Sequence, residues 1–113
     1  MKSKIVALSK NEEFKNLLSQ KKVSNKYVTI FFGKLINKDH KKLNISFVTK
    51  KKIGNAVKRN KIKRRLRNIM NEAVKKISIN LNYSFIVISK NSMIYFEYKN
   101  IKETLFQDLK KIK

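Results

Sequence analysis

The sequence predicts a mixed α+β sandwich, with helices packed on a β-sheet. Three patterns carry that expectation. Ile62, Leu66, Ile69, Met70, Ala73, Val74 and Ile77 recur at spacings of three and four, the period of one helix face. Leu43 to Thr49 alternates, with Leu43, Ile45 and Phe47 on one side and Asn44 and Ser46 on the other, as a half-buried strand does. Phe85-Ile86-Val87-Ile88 is a short unbroken apolar run, the pattern of a strand covered on both faces.

Taken in order, Ser9-Lys10-Asn11-Glu12 forms a capping box, with Ser9 as N-cap and Glu12 reaching back from N3. The helix it opens carries Phe14, Leu17 and Leu18 and runs to Gln20. It is short, so packing must hold it. Lys21 to Lys26 is a polar connection with room for a short strand at Val23. Tyr27 to Ile36 is rich in β-branched and aromatic residues and is expected to be a strand. On it Val28, Ile30 and Phe32 point one way, and Tyr27, Thr29 and Phe31 the other. Asn37 to Lys42 has the length of a hairpin turn. After the alternating strand, Gly54 breaks the pattern and Asn55 is a candidate N-cap. A long basic helix follows to Ile79. The apolar strand comes next, then a loop from Asn91 to Lys99 with Tyr95, Phe96 and Tyr98 clustered on it. Asn100 offers a last N-cap with Glu103 at N3, and Ile101, Leu105, Leu109 and Ile112 form the stripe of a terminal helix. The order is α-β-β-α-β-α, without repeats or a linker, so residues 1–113 are expected to be one domain.

Composition bounds the function. Apolar residues make up 42%, with Phe 7 and Tyr 4, enough for a core and unlike a disordered chain. Lys+Arg 29 against Asp+Glu 7 gives +22. A chain this small with that charge repels itself, and nucleic acid is the commonest partner that neutralises such a charge. Part of the Lys excess fits a general bias toward Lys, Asn and Ile. An acidic membrane surface is the second class of partner, but the basic helix lacks the aromatic residues that interfacial helices bury. No cysteine is present, which excludes disulfides, thiolate zinc sites and a cysteine nucleophile. No apolar run is long enough to span a bilayer, and the piece from Ile5 to Leu8 is too short for a secretory signal. A cytoplasmic protein is expected, with no membrane partner and no obligate protein partner.

Catalytic chemistry on the chain itself finds little support. Glu12, Glu13, Asp39, Glu72, Glu97, Glu103 and Asp108 are scattered, and no carboxylate cluster suits a two-metal nuclease. His40 stands alone beside Asp39 in a turn, where a surface histidine outweighs a general base. No Gly-rich loop cradles a phosphate. No catalytic residue and no metal ligand is therefore assigned.

The densest positive charge lies from Lys50 to Asn68. Two readings compete. The lysines of a solvated helix can simply keep the protein soluble. Clustering, and the use of Arg59, Arg64, Arg65 and Arg67 in a chain that otherwise relies on Lys, favour a polyanion-binding face, because planar guanidinium suits phosphate and stacking. Phe14 has a plain core role, against a second one as a stacking platform for single-stranded RNA with Lys10 on the phosphate. From residues alone the reading is a small basic RNA-binding domain. A ribosomal or general RNA-binding protein, a small nuclease and a DNA-binding module remain its rivals.

Lys51-Lys52-Ile53-Gly54-Asn55-Ala56-Val57-Lys58-Arg59-Asn60-Lys61-Ile62-Lys63-Arg64 resembles the signature K-K-x-G-N-A-V-x-R-N-R-x-K-R of the bacterial ribonuclease P protein family. The Lys10-Asn11-Glu12-Glu13-Phe14 helix start, the hairpin, the apolar strand and the last helix follow in the family's order. The resemblance implies an α-β-β-β-α-β-α sandwich with a mixed four-stranded sheet and a left-handed βαβ crossover around the basic helix, against the usual hand. It implies a subunit of an endoribonuclease whose catalytic RNA uses Mg²⁺, bound mainly through that RNA, to cut the 5′ leader from precursor tRNA. Its partners would be the catalytic RNA and the leader. On this resemblance Lys51, Lys52, Asn55, Arg59, Asn60, Lys61, Lys63, Arg64 and Arg67 face the catalytic RNA. Lys10, Phe14 and Ile30 match the leader groove between the first helix and the sheet. Three positions differ from the family: Lys61 replaces an Arg, Leu18 stands where a second aromatic is frequent, and Ala7-Leu8 replaces an Arg-Leu pair.

Overall fold

A computed structural model describes residues 5–8, 11–35, 41–94 and 97–112. The elements are β1 (Ile5–Val6), α1 (Asn11–Leu18), β2 (Lys21–Ser24), β3 (Val28–Gly33), β4 (Leu43–Val48), a 3-10 turn (Lys51–Ile53), α2 (Ala56–Lys76), β5 (Ser84–Ser89), a second 3-10 turn (Asn91–Ile94) and α3 (Tyr98–Lys111). The sheet order is β1-β4-β5-β3-β2. β4 lies parallel to both β1 and β5, while β3 runs antiparallel to β5 and β2. The basic helix α2 thus forms the crossover between two adjacent parallel strands.

The sheet has five strands where four were expected, the fifth being β1. Its two residues pair with Leu43 and Asn44, a long-range contact too short to leave a periodic trace. Beside it, Leu8 N–H donates to Ser46 Oγ at 2.9 Å. These neighbours bury Asn44 on what was to be the solvent face of β4, and its Nδ2 turns to Lys42 O at 3.3 Å. At the opposite edge β2 exposes Lys21, Lys22 and Ser24, and edge lysines discourage pairing with another chain.

One face of the sheet receives α2 and α3. Val28, Ile30 and Phe32 of β3, Leu43 and Ile45 of β4, and Phe85 and Val87 of β5 meet there. α2 contributes Ile62, Leu66, Ile69, Met70 and Ala73, and α3 contributes Ile101, Leu105 and Leu109. The two apolar stripes pack as their periods require. The other face receives α1, where Leu17, Leu8 and Ile86 are buried and Phe14, Phe31 and Ile88 pack around them. β5 is covered on both sides, as its unbroken apolar run predicts.

Element ends follow local chemistry with two exceptions. Asn55 caps α2, its Oδ1 accepting from Lys58 N–H at 3.0 Å. α2 stops at Lys76, short of the expected Ile79, where Ile77 turns extended. α3 begins at Tyr98 rather than after Asn100. Tyr98 packs on the core and lies under Lys102 Nζ, which also meets Glu72 Oε2 at 3.2 Å, so packing recruits nearly a full extra turn. Burial and the nearby Glu72 carboxylate hold the Tyr98 hydroxyl above its usual range. Ser9, the expected turn residues Asn37 to His40, and the aromatic residues Tyr95 and Phe96 lie outside the described residues.

Leu66 is fully buried at the centre of the α2 seam. Leu66→Ala is expected to destabilise the fold by about 2–5 kcal/mol, read as a lowered urea midpoint at unchanged m-value.

Candidate nucleic-acid interface

The interface is set by what α2 cannot bury. With Ile62, Leu66, Ile69, Met70 and Ala73 committed to the core, the cations are displaced to the outer arc. Asn60, Lys61, Arg64 and Arg67 are exposed, and Arg59, Lys63 and Arg65 are half-buried on the flanks. Lys51 and Lys52 extend the charge from the 3-10 turn before Asn55. Of the residues expected to face the catalytic RNA, those on α2 lie on its outer arc and flanks, and Lys51, Lys52 and Asn55 precede them at the helix entrance.

The charge runs against helix electrostatics. The N-terminus of a helix carries roughly +0.5 of a charge and favours anions. The first turn of α2 has no acidic residue, while Lys51, Lys52, Lys58 and Arg59 crowd it. A side chain on Gly54 would press on this group, since its Cβ would lie 2.9 Å from Lys58 Cδ. The Arg59 Nε is buried without a hydrogen-bond partner among the described residues. Such an arrangement lowers the stability of the protein alone and suits an anion arriving from outside.

The two flanks of α2 differ. Lys58, Lys61 and Arg65 border a depression of about 160 Å³ over Ile62. Lys63 and Arg67 line a groove of about 480 Å³ with Phe14, Ile5, Ala7, Ser46 and Phe47. That groove follows the β4 edge where β1 has ended, since β1 pairs only as far as Asn44. Phe14 is half-buried there, and Leu18 exposes 46% of its surface on the same helix. The structure thus joins Phe14 to two cations that sequence reasoning had assigned to a separate surface.

Ile30 is not part of this groove. It is completely buried in the core under α2 and α3. Strand side chains alternate, so a shift of one residue changes the face, and Phe31 is the β3 side chain that, like Phe14, packs against the Leu8, Leu17 and Ile86 cluster on the α1 side. Lys10 lies outside the described residues.

A second cavity, about 490 Å³, opens on the α1 side of the sheet over Thr29 and Ile88, rimmed by Lys26, Lys50, Lys52 and Lys90. Lys90 Nζ donates to Ser24 Oγ at 2.8 Å and to Asn25 O at 2.6 Å. The turn that fixes it is held by Asn25, whose Oδ1 accepts from Tyr27 and Val28 N–H and whose Nδ2 donates to Asp108. Lys26 and Lys90 lie outside the basic stretch that begins at Lys50, and only convergence in space brings them beside Lys50 and Lys52.

Comparison with known proteins decides the family. A family model described as Ribonuclease P matches residues 3–113. The chain belongs to the ribonuclease P protein family. It is 33% identical to the ribonuclease P protein component of Mycoplasma mycoides over the whole of both chains. It is 34% identical to that of Carboxydothermus hydrogenoformans over 94% of this chain and 90% of the relative. Among solved structures, the ribonuclease P protein of Thermotoga maritima superposes with a TM-score of 0.80 at 25% identity, covering 96% of this chain and 98% of that one. That of Staphylococcus aureus gives 0.76 at 27% identity over 93% and 92%. Membership gives the chain a place in ribonuclease P, an endoribonuclease complex.

Among the described residues no three His, Cys, Asp or Glu side chains gather where they could hold a metal ion. Among the same residues no helix is long and apolar enough to cross a membrane.

Lys58 occupies the third helical position after Asn55, where Glu would complete a capping box and favour the dipole. Lys58→Glu is expected to raise the stability of the isolated protein by about 0.5–1 kcal/mol at low salt, with the gain shrinking at high salt in a thermal melt.

Proposed function

We propose that this chain binds the catalytic RNA of ribonuclease P and the 5′ leader of precursor tRNA, and that cleavage is carried out by the RNA. The observation that carries the reading is the uncompensated basic start of α2, whose charges oppose the stability of their own helix. An RNA phosphate backbone supplies the missing anions, with Asn60 and Arg64 on the crest, Arg59 and Lys61 on its flanks, and Lys51, Lys52 and Asn55 at the helix entrance. Arg guanidinium planes take phosphate in two-pronged contact, and Lys61 contributes a point charge.

The leader lies in the groove of Phe14. An aromatic face there accepts one nucleobase by stacking, while Lys63 and Arg67 hold phosphates on the opposite wall. Both are half-buried or exposed along one side of α2, at positions i and i+4, so they are spaced to follow a strand. Ile5, Ala7 and Phe47 add apolar surface beside it. The lysine-rimmed cavity over Thr29 and Ile88 continues the cationic path along the same side of the sheet.

The chain's part in the reaction is positional and electrostatic. Catalytic RNA and substrate are both polyanions and repel. A domain with a formal charge of +22 placed between them replaces counter-ions that would otherwise have to be recruited from solution. In this reading Mg²⁺ is held by the RNA, and the protein lowers how much of it is needed.

Phe14→Ala is expected to weaken binding of precursor tRNA by the assembled complex by about 1–3 kcal/mol and to leave mature tRNA, which lacks the leader, unchanged. Equal losses for both substrates, with the fold intact by circular dichroism, would contradict the stacking role.

A further inference from the structure

A separate basic cleft lies at the far end of α2. Its lining includes Lys76, Ile77, Ser78 and Ile79, where α2 gives way to the following loop, and Lys110 and Ile112 at the end of α3. It is the largest of the cavities described above, at about 610 Å³. The 21 residues of α2 put about 30 Å between it and Asn55. None of the residues assigned to the catalytic RNA or to the leader lines it.

Lysines at helix C-termini have an ordinary role, neutralising the negative end of the helix dipole. Magnitudes show that this role is exceeded here. Two helix ends bring roughly −0.5 each. The last turns of α2 and α3 carry Lys75, Lys76, Lys110 and Lys111, of which Lys76 and Lys110 line the cleft, so the cations gathered here outnumber the charge of the two helix ends. The acids nearest these ends are Glu72, which pairs with Lys102 at 3.2 Å, and Asp108. The sequence has no Asp or Glu from Ala73 to Phe96, and none after Asp108. The Asp108 carboxylate is engaged by Asn25 Nδ2 at 2.6 Å. The floor of the cleft is apolar, with Ile77 and Ile79 half-buried.

We infer that this cleft binds a second stretch of RNA backbone within the same ribonucleoprotein, so that the two ends of α2 clamp RNA segments about 30 Å apart. The inference rests on the proposed RNA-binding function. The surplus of cations selects a polyanion, and the apolar floor offers contact to a sugar or base edge between phosphates.

The chain has no cysteine, so single substitutions give unique attachment points for an iron chelate. Ser78→Cys places it at the cleft, and Val57→Cys, 76% exposed, at the other end of α2. Each holoenzyme, assembled with the ribonuclease P RNA and a precursor tRNA, is treated to release hydroxyl radicals, and the RNA cuts are mapped. Two separate sets of cuts are expected. Adding Lys76→Gln and Lys110→Gln should erase the Ser78-centred set, spare the other, and reduce the salt slope of RNA binding by about 1.4 units for two single-strand phosphate contacts. Cuts from Val57→Cys alone would overturn the second contact and leave the proposed function standing. Cuts from neither would overturn both. Capture of acidic lipid vesicles through the same lysines, without RNA cuts at Ser78→Cys, would replace RNA by a lipid surface. Should the double variant fail to fold, the Ser78→Cys map alone decides.

Discussion

The seam between α2 and the sheet is the constraint on which the molecule depends. A helix crowded with lysine and arginine would not persist alone, because its charges repel one another and oppose its dipole. Ile62, Leu66, Ile69, Met70 and Ala73 overcome this by burying one continuous stripe against β3, β4 and β5. Once that stripe is docked, rotation of the helix is no longer free. Each cation then has a fixed direction, and the pattern of function on α2 is the complement of the pattern of burial.

That complement is more finely divided than a basic face. The crest carries Asn60 and Arg64, one flank carries Lys58, Lys61 and Arg65, and the other turns Lys63 and Arg67 toward Phe14 across the open β4 edge. α1 matters to this division. Leu17 anchors it to Ile86 on the sheet, which leaves Phe14 at the groove and Leu18 exposed. The brevity of β1 matters equally, since a longer strand would have closed the edge along which the groove runs. Fold and binding surface are thus linked by how far each element extends.

Much of this is legible in the sequence where the signal is local and periodic. The α2 and α3 stripes, the Asn55 cap and the double burial of β5 follow from spacing and side-chain chemistry. What escapes is decided at long range. β1 has two residues and exists only through its pairing with β4. The start of α3 moved because Tyr98 packs on the core, a stronger effect than the cap at Asn100. Asn44 is polar and was read as exposed, yet strand neighbours bury it. Ile30 illustrates the sensitivity of strands. It faces the core under α2 and α3, while its neighbour Phe31 faces the α1 side. The lysine ring over Thr29 and Ile88 is assembled from distant segments, so neither spacing nor composition marks it. The family signature marks the basic helix, while the partition of its cations between two flanks is a property of the packed structure.

The most direct test of the central claim is cleavage of a precursor tRNA by the cognate catalytic RNA at low Mg²⁺, with and without this protein. The account predicts cleavage at the mature 5′ end only when the protein is added, and no cleavage by the protein alone, because its cations replace the counter-ions that low Mg²⁺ withholds. Tight RNA binding without rescue would contradict it and indicate a general RNA-binding protein. Cleavage by the protein alone would contradict the placement of the chemistry on RNA.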